Sequence, residues 1–190
     1  MLLLINACVR SNSRTKRLAD CLIRTLKTPV TELRLSERVF PSVDEQFLIS
    51  RDELIKQGNY NDPVFDLARQ FSDADEIVIA APFWDLSFPA ALKSYFEQIN
   101  VAGITFRYTE EGVPVGLCKA QKLYYITTAG GDFFPEEYGF GYVKALAQNF
   151  YGIKNIELIK ATGLDIYGAD AEHILSACEK DILHRFGSDI

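Results

Sequence analysis

Residues 76–87 read EIVIAAPFWDLS. Glu76 to Ala81 is a strand whose five residues after the glutamate are all apolar and which stops at Pro82, the pattern of a strand covered on both faces. Strands of that kind belong to parallel sheets, whose crossovers need helices on each side. The neighbouring sequence supplies them. Downstream, a helix starting near Pro89 carries Leu92, Tyr95, Phe96 and Ile99 on one side. Residues 103–118 are rich in Gly and Pro and read as an excursion, a hairpin. Lys122 to Thr127 is a second central strand, followed by the Gly130-Gly131 turn and a helix from about Glu136 to Phe150. Ile156 to Ala161 is the last strand and Ala169 to Phe186 a closing helix. Upstream, Leu2 to Ile5 is a short apolar strand and Asn6 to Ser13 a polar loop. The helix Thr15 to Lys27 then places Leu18, Cys21, Leu22 and Leu26 at helical spacing. Thr28-Pro29 ends that helix, and Val30 to Leu35 is a strand. Helices follow at Asp44 to Gln57 and Asp62 to Phe71, parted by the turn Gly58 to Asn61. This alternation predicts an α/β fold: one domain over residues 1–190 with a five-stranded parallel sheet, helices on both faces and right-handed crossovers.

Composition agrees with a globular chain and removes several function classes. A chain of 190 residues, 48% hydrophobic and 24% charged, can bury a two-sided core and shows no bias toward disorder or coiled coil. A net charge of −6 and a pI near 5.0 speak against nucleic acid or an anionic membrane surface as a partner. Cys8, Cys21, Cys118 and Cys178 lie far apart with no CxxC pair. That spacing predicts reduced thiols in a cytoplasmic protein, with no zinc framework or other metal site. No stretch approaches the ~20 apolar residues of a membrane span.

In open parallel sheets the ligand sits beyond the carboxyl ends of the strands, at a topological switch point. The loops after Ile5, Ala81 and Thr127 are therefore the candidates. The first holds Ser11, Asn12, Ser13 and Thr15 directly before a helix, with Arg10, Arg14 and Lys16 adding charge. Hydroxyls and unpaired amides at a helix start make an anion site, although Ser13 equally serves as a plain N-cap. With neither a Walker Gly-Lys pattern nor GxGxxG, a nucleoside triphosphate or Rossmann dinucleotide is disfavoured. The second loop is Pro82-Phe83-Trp84-Asp85-Leu86, which contains the one tryptophan of the chain. Adjacent aromatics at a strand end suit a flat conjugated ring, or else form a buried aromatic cluster. The third is Thr127-Thr128-Ala129-Gly130-Gly131, whose paired glycines permit close approach to the backbone or make an ordinary turn.

The segments APFWDLSFPAALKSYFEQI (Ala81 to Ile99) and GITFRYTEEGVPVGL (Gly103 to Leu117), with the TTAGG turn, carry a resemblance that covers nearly the whole chain. It resembles the flavodoxin-like NAD(P)H:quinone oxidoreductases and FMN-dependent NADH-azoreductases. The resemblance implies a flavodoxin-like fold and FMN as cofactor. The phosphate would be held by Ser11, Ser13, Thr15, Lys16 and nearby amides. Pro82, Phe83, Trp84, Asp85 and Leu86 would line the flavin ring, and Thr128, Ala129, Gly130 and Gly131 its other edge. It also implies a homodimer whose partner chain completes each pocket, and a ping-pong cycle. In that cycle NADH or NADPH reduces the flavin, then gives way to a small aromatic acceptor such as a quinone, azo or nitro compound.

Three positions depart from the family pattern. The usual asparagine of the aromatic loop is Asp85, the serine common after the first strand is Ala7, and the azoreductase Ser-Arg-Gly-Gly turn reads Thr-Ala-Gly-Gly. A carboxylate of Asp85 placed near the ring would disfavour anionic reduced flavin. Tyr108 and Asp132 are candidate proton donors or orienting groups and are equally candidates for structural roles. His173 and His184 belong to the closing helix, and Cys8 reads as a small buried hydrophobe. A flavodoxin-like electron carrier and an interaction protein of the same fold without FMN are the competing readings. A carrier's flavin would not be bleached by nicotinamides, and the second protein would be colourless.

Overall fold

The computed structural model describes residues 1–187. Its parallel sheet contains β1 (Leu2–Asn6), β2 (Val30–Arg34), β3 (Glu76–Ala80), β6 (Lys122–Thr128) and β7 (Asn155–Ala161), in the order β2-β1-β3-β6-β7. Every pairing in it is parallel. Strand alternation sorts the apolar side chains into two layers. Leu3, Ile5, Ile77, Ile79, Leu123 and Tyr125 face α3 (Asp66–Asp73), α4 (Ala90–Ile99) and α5 (Phe140–Leu146), burying Phe71, Leu92, Phe96 and Val143. Leu2, Leu4, Val78, Ala80, Tyr124 and Ile126 face α1 (Arg14–Leu26) and α6 (Ala171–Phe186), burying Leu18, Leu22, Leu175 and Ile182. α2 (Glu45–Lys56) buries no residue fully and only rests Leu54 and Ile55 against the edge of the first layer. The β1, β3 and β6 runs are continuous because both of their faces are covered.

The excursion at 103–118 is an antiparallel hairpin, β4 (Phe106–Tyr108) paired with β5 (Pro114–Gly116). Two helix starts lie later in the sequence than the pattern predicts. The last helix begins at Ala171 because Asp170 caps it, accepting a hydrogen bond from the His173 amide. The helix expected from Glu136 begins at Phe140. The Tyr138 carbonyl accepts from Ser87 Oγ (2.9 Å), and Lys160 pairs with Glu136 (2.6 Å), which holds residues 136–139 in turns. That helix ends in a π-helical turn over Ala147–Tyr151, closed by Gly152 at φ +77°.

α1 and α6 are locked by one guanidinium. Arg17 donates four hydrogen bonds of 2.6–2.9 Å, two to Glu172 and two to Glu179. The bonds from Arg17 hold both carboxyls below their ordinary value of 4.5. A carboxyl whose folded pKa is depressed stabilises the fold above its unfolded pKa and loses that contribution as pH falls through the folded value. Arg17→Met should therefore be less stable than wild type at neutral pH, with the difference closing as pH falls below about 4.5. Urea midpoints of the two proteins against pH test this; a constant difference down to pH ~3 would show that packing, and not charge, is what Arg17 supplies.

Candidate functional site

At the carboxyl ends of the central strands lies a cavity of about 330 Å³, within the size range of small-molecule clefts. Four chain segments wall it. Val9, Arg10 and Asn12 to Thr15 come from the β1–α1 loop and first helical turn. Pro82 to Trp84 follow β3, Thr128 to Gly130 end β6, and Leu164 and Asp165 follow β7. β1 and β3 diverge at the switch point of the sheet, because β2 lies beyond one and β6 beyond the other.

Ser13 caps α1, its Oγ accepting from the Lys16 amide (3.3 Å). The amides of Arg14 and Thr15 have no intrahelical acceptor, as at any helix start, and both residues line the cavity. The helix dipole and the Arg10 and Arg14 guanidiniums add positive potential there. Thr15 is almost fully buried, and its hydroxyl bonds that of Thr128 (2.6 Å). The Thr128 carbonyl accepts from the Phe83 amide (3.0 Å), so one residue ties the first and second loops to β6. Phe83 packs on Phe134 with ring centroids 4.6 Å apart, whereas Trp84 at the cavity wall is 40% exposed. A buried aromatic cluster would have hidden that indole.

Trp84 and Ser87 exchange both backbone hydrogen bonds (3.1 and 2.7 Å) around Asp85 and Leu86, at φ +50° and +67°. Two consecutive left-handed residues make this a type I′ turn, a conformation that Asp tolerates and Leu resists. Leu86 is 44% exposed and gains little from burial in return. Leu86→Gly should raise stability by about 0.5 kcal/mol, the left-handed cost less the added chain entropy of glycine. A melting temperature that falls instead would mean that the leucine side chain has a packing partner.

The structure brings eight of the sequence-derived positions to one cavity: Ser13, Thr15, Pro82, Phe83, Trp84, Thr128, Ala129 and Gly130. Ser11, Lys16, Asp85, Leu86 and Gly131 are not among its walls. Ser11 is exposed, and Lys16 turns to Asp20 and Glu32. Asp85 and Leu86 form the turn tip, and the Gly131 carbonyl accepts from the Gly163 amide (3.0 Å). Tyr108 is exposed on β4, and the Asp132 carboxylate lies over Gly163. Both histidines are exposed on α6. Burial raises the Cys8 thiol pKa, which keeps it protonated at neutral pH. Among the described residues no acidic, histidine or cysteine cluster could hold a metal, and no helix is long and apolar enough to cross a membrane.

Leu164 and Asp165 form the fourth wall, which the three-loop reading omits. Asp165 bonds Arg14 (Oδ1 to Nη1, 2.7 Å), and its amide donates to the Gly130 carbonyl (2.8 Å). A Cβ on Gly130 would stand 2.5 Å from Asp165 Oδ2. The bare face of that glycine thus seats a carboxylate. The available signal was strand order, since β7 neighbours β6 and its loop must border the same rim.

A family model described as flavodoxin-like fold matches residues 1–186. The chain belongs to this flavodoxin-like family. Among its flavodoxin-like relatives, an FMN-dependent NADH:quinone oxidoreductase of Clostridium perfringens is 38% identical over 170 residues, 84% of this chain and 83% of that one. One from Clostridium beijerinckii is 37% identical over 177 residues, covering 90% and 88%. Among solved flavodoxin-like structures, an azoreductase from Bacillus anthracis superposes with TM-score 0.84 at 26% identity, covering 97% of each chain. A B. anthracis FMN-dependent NADH-azoreductase in complex with FMN gives 0.80 at 25% identity, over 97% of this chain and 96% of that one.

Proposed function

We propose that this chain is an FMN-dependent oxidoreductase that uses NADH to reduce quinones or azo compounds. The observation that carries the reading is the joining, in one cavity, of a cationic helix start with an exposed strand-end tryptophan. The residues present fit FMN. Ser13, Arg14 and the first-turn amides offer donors to a phosphate dianion. Pro82, Phe83 and Trp84 offer apolar surface to a flat ring, and Thr128 to Gly130 close the opposite side. When bound, FMN would supply the hydride and electron-transfer chemistry between NADH and the acceptor. The protein's share would be to hold the phosphate at the first turn of α1 and to orient the ring beside Pro82, Phe83 and Trp84. Among the described residues, no cysteine or histidine lines the cavity to act as nucleophile or base.

The relatives' names motivate NADH as donor and a quinone or azo acceptor. A homodimer is part of the proposal, supported by Trp84, Leu86, Phe133 and Tyr138, large side chains exposed on the loops around the cavity. A reducing cytoplasm is proposed on the four free cysteines. The deciding measurement is the visible spectrum of the purified protein, with FMN supplied and NADH then added without oxygen. Flavin bands that bleach with NADH and return on adding a quinone are expected. A protein that takes up no FMN would end the proposal, and bound flavin indifferent to NADH would make it an electron carrier.

A further inference from the structure

Cavities that receive a phosphate dianion are usually lined by cations and neutral donors. This one also contains a carboxylate. We infer that Asp165 is a built-in counter-anion that competes with the cofactor's phosphate for Arg14 and so sets how tightly a phosphorylated flavin is held. The inference rests on the FMN reading given above.

Three observations converge on Asp165. Its backbone is pinned to the third loop through the Gly130 carbonyl, and its carboxylate occupies the space that any side chain at 130 would need. Its Oδ1 engages Arg14 through a single guanidinium nitrogen at 2.7 Å. Both residues line the cavity, and the carboxylate is 65% exposed. An anion entering beside Ser13 therefore meets an arginine that already has a partner. To gain Arg14 it must share it with Asp165 or displace that carboxylate, and in either case two negative groups stand in one small cavity. Coulomb repulsion at such separations, reduced by solvent and salt, corresponds to about a 3- to 10-fold loss of affinity. Asp165 also helps to hold Arg14 in place, an effect of opposite sign. The repulsion outweighs it, because a single exposed ion-pair contact orients a side chain only weakly.

Asp165→Asn separates the two effects, since the amide oxygen can still accept from Arg14 while the charge is gone. FMN and riboflavin are titrated into wild type and variant by flavin fluorescence, at low salt and at about 0.5 M salt, with melting temperatures confirming that both are folded. The expected result is FMN binding about 3- to 10-fold tighter in the variant, riboflavin unchanged, and a smaller difference at high salt. Unchanged or weaker FMN binding, or an equal shift for both flavins, would overturn the inference while leaving the FMN reading intact. Wild type that fails to prefer FMN over riboflavin would instead show that no phosphate occupies this cavity, and the site assignment would fall together with the inference.

Discussion

Replacing Gly116 by alanine is expected to destabilise the protein by about 3 kcal/mol or more, through overlap that no rotamer can relieve. Gly116 ends β5, where the hairpin meets the π-helical turn. A Cβ there would stand 2.1 Å from both the Tyr151 carbonyl carbon and the Gly152 amide nitrogen. Both are backbone atoms, so the hairpin or the end of the helix has to move. Movement of the hairpin breaks the contact of Phe106 with Phe150, whose centroids are 4.7 Å apart. Movement of the helix end disturbs Tyr151, buried against Phe71 and bonded through its hydroxyl to Asn100 (2.7 Å). Gly131 provides the control, because a Cβ there meets nothing within 4 Å. Urea denaturation should place Gly131→Ala within about 0.5 kcal/mol of wild type. A Gly116→Ala protein equally close to wild type would contradict the packing described for the hairpin.

Arg14→Ala is expected to weaken FMN binding about 100-fold while changing riboflavin binding little. A hydrogen bond to a charged partner contributes roughly 1.5–3 kcal/mol, and each 1.4 kcal/mol is a factor of ten. The loss lies toward the upper end because removal of the guanidinium leaves the Asp165 carboxylate unpaired in the same cavity. Adding Asp165→Asn to Arg14→Ala should therefore recover part of the affinity, a coupling that independent sites would not show. Equal weakening of FMN and riboflavin would mean that Arg14 supports the flavin ring or the fold and does not meet the phosphate.

The parallel sheet and the three loops at its rim were legible because burial on both faces leaves a plain mark: Leu2 to Ile5, Ile77 to Ala81 and Leu123 to Ile126 are runs without a charged residue. What escaped was set by contacts between distant segments. The Pro135-Glu136-Glu137 stretch has the composition of a helix start, yet Lys160 claims the Glu136 carboxylate and Ser87 Oγ donates to the Tyr138 carbonyl just beyond it, so the helix waits until Phe140. The left-handed turn at Asp85 and Leu86 carries neither glycine nor asparagine to announce it. Lys16 reads as a phosphate ligand by position, but its partners Asp20 and Glu32 come from the next helical turn and the neighbouring strand. Asp165 lies in a loop without unusual composition, and only the adjacency of β6 and β7 brings it to the cavity.

Thr128 joins two of the cavity's walls through its own atoms, its hydroxyl to Thr15 and its carbonyl to the Phe83 amide. Neither bond involves a guest molecule. The receptacle is therefore assembled by the polypeptide during folding, and the empty chain pays little additional ordering entropy on capture. A newly made molecule would then stand ready before any cofactor reaches it.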